Sequence, residues 1–262
     1  MSEIKIKVAT YIDSHCHYHP LLSFSDFFKS IVKNSKKVAQ GQVVGVAICL
    51  TDMPGTNWFS ALESYPATAQ LSVSKVDDHT LSVHIEGDTV TVYCASQVNT
   101  QEKIELIIVG FRGMVPEGLA LKEYVDRYGK DYLLIFPWGV GKWLGQRGDL
   151  MIAQMDAAMP PYVLGDNGGR PYWWYRIPQF TKAIKKGVPV LAGSDPLPVS
   201  SFQRRVASYG NIYAAEFASC SEWINYVKGL KESPSVFGKP SGTLSFLTEQ
   251  LSLRFNKILK NN

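Results

Sequence analysis

The feature that most restricts how this chain can fold is a repeated pairing. A short apolar run ends in polar residues and glycines, and a segment of helical character follows. Gln42 to Leu50 is almost continuously apolar and ends at Thr51-Asp52-Met53-Pro54-Gly55. Tyr132 to Pro137 ends at Trp138-Gly139, Pro161 to Gly165 at Asp166-Asn167-Gly168-Gly169-Arg170, and Val188 to Ala192 at Gly193-Ser194-Asp195. Runs that are apolar throughout fit strands buried on both faces, as in parallel sheets covered by helices. Helical segments are expected over 26–38, 119–128, 149–158, 178–186, 222–231 and 244–259. Strands alternating with helices imply a barrel or a doubly wound sheet. The barrel is favoured because the polar strand ends would then meet at one rim. A doubly wound sheet would open with a glycine-rich first turn, and the first strand here ends in histidines.

The fold expected is therefore α/β, a single (β/α)7–8 TIM-like barrel over 1–262. Residues 71–96 break the rhythm. Leu71-Ser-Val-Ser, Leu81-Ser-Val-His-Ile and Thr89-Val-Thr-Val-Tyr alternate apolar and polar around a turn at Glu86-Gly87-Asp88. That pattern predicts a half-exposed antiparallel hairpin insertion. Residues 198–262 are expected as a C-terminal helical extension, with Asn211 to Phe217 either a last strand or a helix start.

The first strand ends in Ile12-Asp13-Ser14-His15-Cys16-His17-Tyr18-His19. Strand alternation sends the three histidines to one side. Two imidazoles two residues apart can grip one metal ion. Cys16 should then point into the barrel wall. Around the rim the chain also places Asp52, Gln97, Glu105, Trp138 with Lys142, Asp166 with Arg170, and Asp195. Two histidines and a late carboxylate can hold a divalent ion and leave a position for water, whose pKa the ion lowers. Asp195 is a candidate ligand or proton acceptor. Lys142, Arg147 and Arg170 are candidates for holding an anion, and Asp166 and Trp138 for lining its site. Rim salt bridges are the competing reading for these charged residues.

These motifs, in this order, resemble the polymerase and histidinol phosphatase (PHP) superfamily over residues 10–200. Ile12-Asp-Ser-His-Cys-His17 looks like its first motif, Val46-Ala-Ile-Cys-Leu-Thr-Asp-Met53 its second and Val188-Pro-Val-Leu-Ala-Gly-Ser-Asp195 its last. The resemblance implies a distorted (β/α)7 barrel, divalent metals and phosphoester hydrolysis, with His15, His17 and Asp195 as ligands. Several ligand positions are replaced. Met53 and Leu197 stand where the family has histidines, Phe136-Pro137 lacks the expected histidine before proline, and Gln97 and Glu105 replace a glutamate and a histidine. The resemblance then leaves one ion, or two, with Zn or Mn suited to His15, His17, Asp195 and Glu105.

Composition narrows the rest. Net charge is +4 with 45% hydrophobic residues, ordinary for a soluble globular chain. No basic run interleaved with aromatics reads as a nucleic-acid surface, so a small anionic ester is expected as substrate, with no nucleic acid and no membrane partner. Four dispersed cysteines and the lack of a signal peptide point to a cytoplasmic protein. Oligomeric state is not legible. Two rival readings stand: a non-catalytic barrel binding a partner through Trp138, Trp143, Trp173, Trp174 and Tyr175, and an amidohydrolase-type amide or lactone hydrolase, whose two mid-barrel histidines are absent here.

Overall fold

The computed structural model describes residues 9–40, 44–139, 141–157 and 162–242. The expected helix over 244–259 lies outside them. The elements run β1 (Ala9–Cys16), α1 (Phe24–Ala39), β2 (Val44–Asp52), α2 (Trp58–Glu63), β3 (Leu71–Asp77), β4 (Thr80–Ile85), β5 (Asp88–Asn99), β6 (Glu105–Val109), α3 (Leu121–Tyr128) and β7 (Leu133–Pro137). They continue with α4 (Gln146–Ala157), β8 (Tyr162–Asn167), α5 (Pro178–Lys185), β9 (Val190–Gly193), α6 (Ser200–Gln203), β10 (Tyr209–Tyr213), α7 (Cys220–Gly229) and β11 (Ser235–Gly238).

Local chemistry accounts for the helix ends. The Ser23 hydroxyl accepts from the Asp26 amide at 3.0 Å to start α1, and Gln40 ends it with φ of 50°. Such side-chain caps satisfy amides that the helix cannot. Ser219 starts α7 in the same way, accepting from the Glu222 amide at 3.2 Å.

The main sheet orders its strands β11-β10-β1-β2-β5-β6-β7-β8-β9, with β3 and β4 as a hairpin attached through β4 to β5. The nine strands curl until the ends nearly meet. Closure is not a ladder: Asp195 N donates to His15 O at 2.8 Å, Ser14 Oγ to Ala192 O at 2.8 Å and Ala192 N to Asn211 Oδ1 at 2.7 Å. Gly193 permits this approach, since a Cβ there would lie 2.6 Å from the His15 nitrogen.

The strand order is not that of a (β/α)8 barrel. β6 runs antiparallel to both β5 and β7, because the link over 100–104 is too short for the crossover that parallel strands need. The 71–85 hairpin feeds β5, which pairs parallel with β2 and so is a barrel strand. Segment 198–262, expected as helical, supplies α6 and α7 but also two strands, β10 antiparallel to β1 and β11 antiparallel to β10.

Inside the sheet, Ile12, Cys49, Tyr93, Ile107, Ile135, Val163 and Leu191 form a core with Trp223, Ile224 and Val227 of α7. Trp223 stacks on Tyr93 with centroids 5.6 Å apart. α7 thereby plugs the barrel end opposite the rim. Outside, α1, α2 and the hairpin cover one flank, and α3, α4 and α5 the other. All four cysteines are reduced and buried; Cys16 packs with Tyr18, Phe27 and Phe28, away from the histidines. No helix among the described residues is long and apolar enough to cross a membrane.

Candidate metal centre

Alternation along the strands decides which rim residues look inward. Tyr93 and Ala95 face the core, so Gln97 does too; Ile107 and Val109 carry Glu105 with them, Val163 carries Asn167, and Leu191 carries Gly193 and Asp195. β1 is irregular, its register slipping between Asp13 and Cys16, and His15 and His17 arrive at the same mouth.

His15, His17 and Asp195 bring their ligand atoms together. The two Nε2 atoms are 2.9 Å apart. Asp195 Oδ1 lies 3.7 Å from that of His15 and 3.6 Å from that of His17. His17 Nδ1 is 2.8 Å from the Thr51 carbonyl. A carbonyl only accepts, so Nδ1 carries the proton and Nε2 offers its lone pair. This is how a backbone carbonyl fixes the tautomer of a ligating histidine. Burial above all, with His17 and Lys142 nearby, pushes His15 down to about 4, against the pull of Asp195 and Gln97. His15 is therefore a neutral imidazole near neutral pH, the form that binds metal. For Asp195 burial works against ionisation, but His15, His17, Asn167 and Lys142 outweigh it and hold the carboxyl below its usual range.

A neutral His15 imidazole, a His17 ring whose Nε2 is left free by the Nδ1–Thr51 contact, and an ionised Asp195 carboxylate fit a divalent ion. A further observation agrees. Gln97 bears on His15 through its side chain, and its buried Oε1 meets no other hydrogen-bond donor. A buried oxygen with lone pairs to spare beside the ligand atoms can serve an ion or a water.

The supports of this cluster were only partly visible in the sequence. Asn167 donates from Nδ2 to Asp195 Oδ2. Asp13 accepts from the amides of His15 (3.2 Å), Ser194 (2.9 Å) and Ala207 (2.9 Å) and from the Ser194 hydroxyl. Burial raises Asp13 to about 6 although these bonds pull it down. Alternation counted from Val163 could have found Asn167. The slip in β1 hid the role of Asp13. His19 is also buried and its Nε2 lies 3.1 Å from Pro196 O, so it braces the segment beyond Asp195.

The other expected site residues fall in different places. Glu105 pairs with Lys142, so its carboxylate is held by an ammonium and is not in the ligand cluster. Lys142 lies close enough for its charge to act on both His15 and Asp195. Asp166 alternates with Asn167 and faces away from the cluster. Its oxygens take Arg170 Nε and Nη2 at 2.6 and 2.7 Å and the Tyr209 hydroxyl at 2.6 Å. Arg170 thus has its fork occupied, and Arg147 donates to the Lys103 and Gly141 carbonyls. Trp138 is 4% exposed in the outer core, against Trp174 at 5.4 Å. Asp52 receives the Trp58 and Phe59 amides at 2.6 and 3.3 Å and anchors the start of α2.

A cleft of about 470 Å³ adjoins this mouth, walled by Met53, Phe59, Val98, Phe111 and Val115, with Asp52 and Gln97 on its lining. Gln97 is the residue common to the cleft and the histidine cluster. Met53, in place of the family's histidine, is part of that apolar wall.

No family model matches the chain, and no curated protein matches it. Solved structures do. The lesion-specific endonuclease PfuEndoQ of Pyrococcus furiosus superposes with TM-score 0.54 at 16% identity, over 85% of this chain and 56% of that one. PsfC of Pseudomonas syringae PB-5123 superposes with TM-score 0.55 at 11% identity, over 96% and 99%. These likenesses show a shared fold. The chain spans little more than half the length of the endonuclease. This likeness overturns the exclusion of nucleic acid as a partner: the same barrel occurs in an enzyme whose substrate is a nucleic acid.

Proposed function

We propose that this protein is a metal-dependent hydrolase of phosphoesters, acting on a nucleic-acid phosphodiester rather than on a small anionic ester. The observation that carries the reading is the convergence of His15 Nε2, His17 Nε2 and Asp195 Oδ1. The fold shared with a lesion-specific endonuclease supports the choice of substrate. The chain is then a divergent PHP-type barrel that has kept one ligand set and lost others.

A divalent ion held there, Zn or Mn by its donors, supplies Lewis acidity and lowers the pKa of water. The chain's own residues do the rest. Thr51 O sets the tautomer of His17. Asn167 and the His15 carbonyl fix Asp195 from its side chain and its backbone. Gln97 adds an oxygen that has no other partner. Lys142, steered by Glu105, offers positive charge beside the cluster, where the charge developing on a phosphoryl oxygen is stabilised.

The test is metal analysis joined to turnover. Purified protein supplemented with Zn or Mn should carry about one equivalent, as a site of two imidazoles and a carboxylate implies, and His17→Ala should lose it. Cleavage of a bis-aryl phosphodiester or an oligonucleotide should disappear in the same variant. Protein that stays metal-free after supplementation would falsify the reading, as would a His17→Ala enzyme that cleaves at the wild-type rate.

A further inference from the structure

The loop leaving β8 and the helix after it form a surface that the metal centre does not use. Tyr172, Trp173 and Tyr175 are 60%, 50% and 69% exposed. Large aromatics displayed together in this way mark interaction sites more often than chance. Trp173 is not loose: it stacks on Trp174 at 7°, which packs in turn on Trp138. The Arg176 guanidinium lies over the Tyr175 ring, 5.4 Å from its centroid. A shallow depression beside it is walled by Arg176, Lys182 and Lys185.

The segment that carries these rings is basic. Between Asp166 and Asp195 the sequence carries Arg170, Arg176, Lys182, Lys185 and Lys186 and no carboxylate. Arg170 is spent on Asp166 and Lys186 donates to the Met155 carbonyl at 2.7 Å, whereas Arg176 on the loop and Lys185 on α5 are exposed. The sequence shows no basic run interleaved with aromatics. Folding makes one, because a single helical turn brings Lys182 and Lys185 to one side of α5 beside Arg176. The platform also starts from the strand that carries Asn167, the support of Asp195, so it leaves the barrel at the rim that bears the metal centre.

We propose that this surface binds single-stranded nucleic acid, with bases stacked on Trp173 and the exposed tyrosines and the phosphate backbone along Arg176 and Lys185. Exposed π-faces flanked by cations are how proteins hold single strands without reading sequence. In a duplex the base faces are stacked inside and cannot reach the rings. The inference rests on the phosphodiesterase reading for its purpose and names the form of substrate delivered to that site.

Binding can be read without catalysis. Chelator-treated protein and a fluorescein-labelled oligothymidylate of about 20 nucleotides, longer than the roughly 4–16 nucleotides that a small single-strand-binding domain covers, are titrated by anisotropy, with a duplex of equal length in parallel. The single strand should bind more tightly than the duplex, and affinity should fall with salt. Trp173→Ala and Tyr175→Ala should each weaken binding about tenfold, the scale of one lost base stack. Trp173→Phe, which keeps a π-face, should restore most of it, and Lys185→Glu should flatten the salt dependence. Both aromatic residues are exposed, so the variants should fold as the parent does; circular dichroism checks this. Unchanged affinity in both alanine variants would overturn the proposal. So would equal affinity for the duplex, or displacement of the oligonucleotide by polyglutamate as readily as by unlabelled oligothymidylate. Binding by a chain that takes up no metal would sink the hydrolase reading and leave this one standing; a metal-loaded chain that does not bind would do the reverse.

Discussion

His17 illustrates how much one backbone atom can decide. Its Nδ1 meets the Thr51 carbonyl, so the ring has one tautomer and one direction. His15 is fixed differently, by a main chain pressed against Gly193. A Cβ at Gly193 would lie 2.5 Å from His15 Cβ and 2.6 Å from its nitrogen, and neither atom can move without opening the β1–β9 seam. Gly193→Ala should therefore cost about 1–3 kcal/mol of stability, as overpacking does, and should also release the metal; a chemical denaturation curve and a metal assay measure the two. Full metal occupancy would show that His15 does not need this seam. Asp195 has a second constraint. Its φ of 42° lies where most side chains are strained, and Asp and Asn tolerate that region best. Asp195→Asn should keep the fold and lose the ion, whereas Asp195→Ala should lose the ion and some stability with it.

At the scale of elements, the barrel is stitched shut by one buried carboxylate. Asp13, at the point where β1 slips out of register, gathers donors from β1 itself, from the segment after β9 and from Ala207 ahead of β10. Removing it leaves three buried amides without an acceptor. Each such orphan costs about 1–3 kcal/mol, and Asp13→Ala should cost about 3–5 kcal/mol after partial relaxation. Urea unfolding measures this, and a loss below about 1 kcal/mol, the scale of a surface substitution, would mean water replaces the carboxylate. The element also shows where the sequence stops being readable. Apolar runs gave most strands and α1, α3 and α5, because burial on both faces leaves a composition signature. They could not show that β6 runs backwards, could not choose between strand and helix at 211–217, where β10 lies, and did not show β11. Direction is set by link length and by pairing with distant strands, which no local window contains. For the same reason His15, His17 and Asp195 were legible as motif residues, while Asp13 and Asn167 were not: their importance lies in whom they touch.

At the scale of the whole molecule, the barrel is filled from below and gripped from above. Trp223 on α7 is fully buried and stacks on Tyr93, joining a late helix to a central strand. The ion proposed at the mouth would join β1 to the segment after β9, across a seam that no ladder closes among the described residues. Ligand that binds only the folded state adds stability by mass action, about 2.7 kcal/mol at a hundred times its dissociation constant. A chain of this size shifts by about 2–4 °C per kcal/mol, so saturating Zn or Mn should raise the melting temperature by about 5–10 °C, and a chelator should return it. The position of the site gives the prediction its specificity. Trp223→Ala should lower the melting temperature by emptying the bottom of the barrel, at about 3–5 kcal/mol, yet keep the metal-dependent increment, because the ligands lie at the other end. Asp195→Asn should do the opposite, melting near the metal-free wild type and responding little to added ion. If both variants keep the increment, the ion binds somewhere other than the seam; if both lose it, plug and rim form one cooperative unit and the seam has no separate stability for an ion to supply.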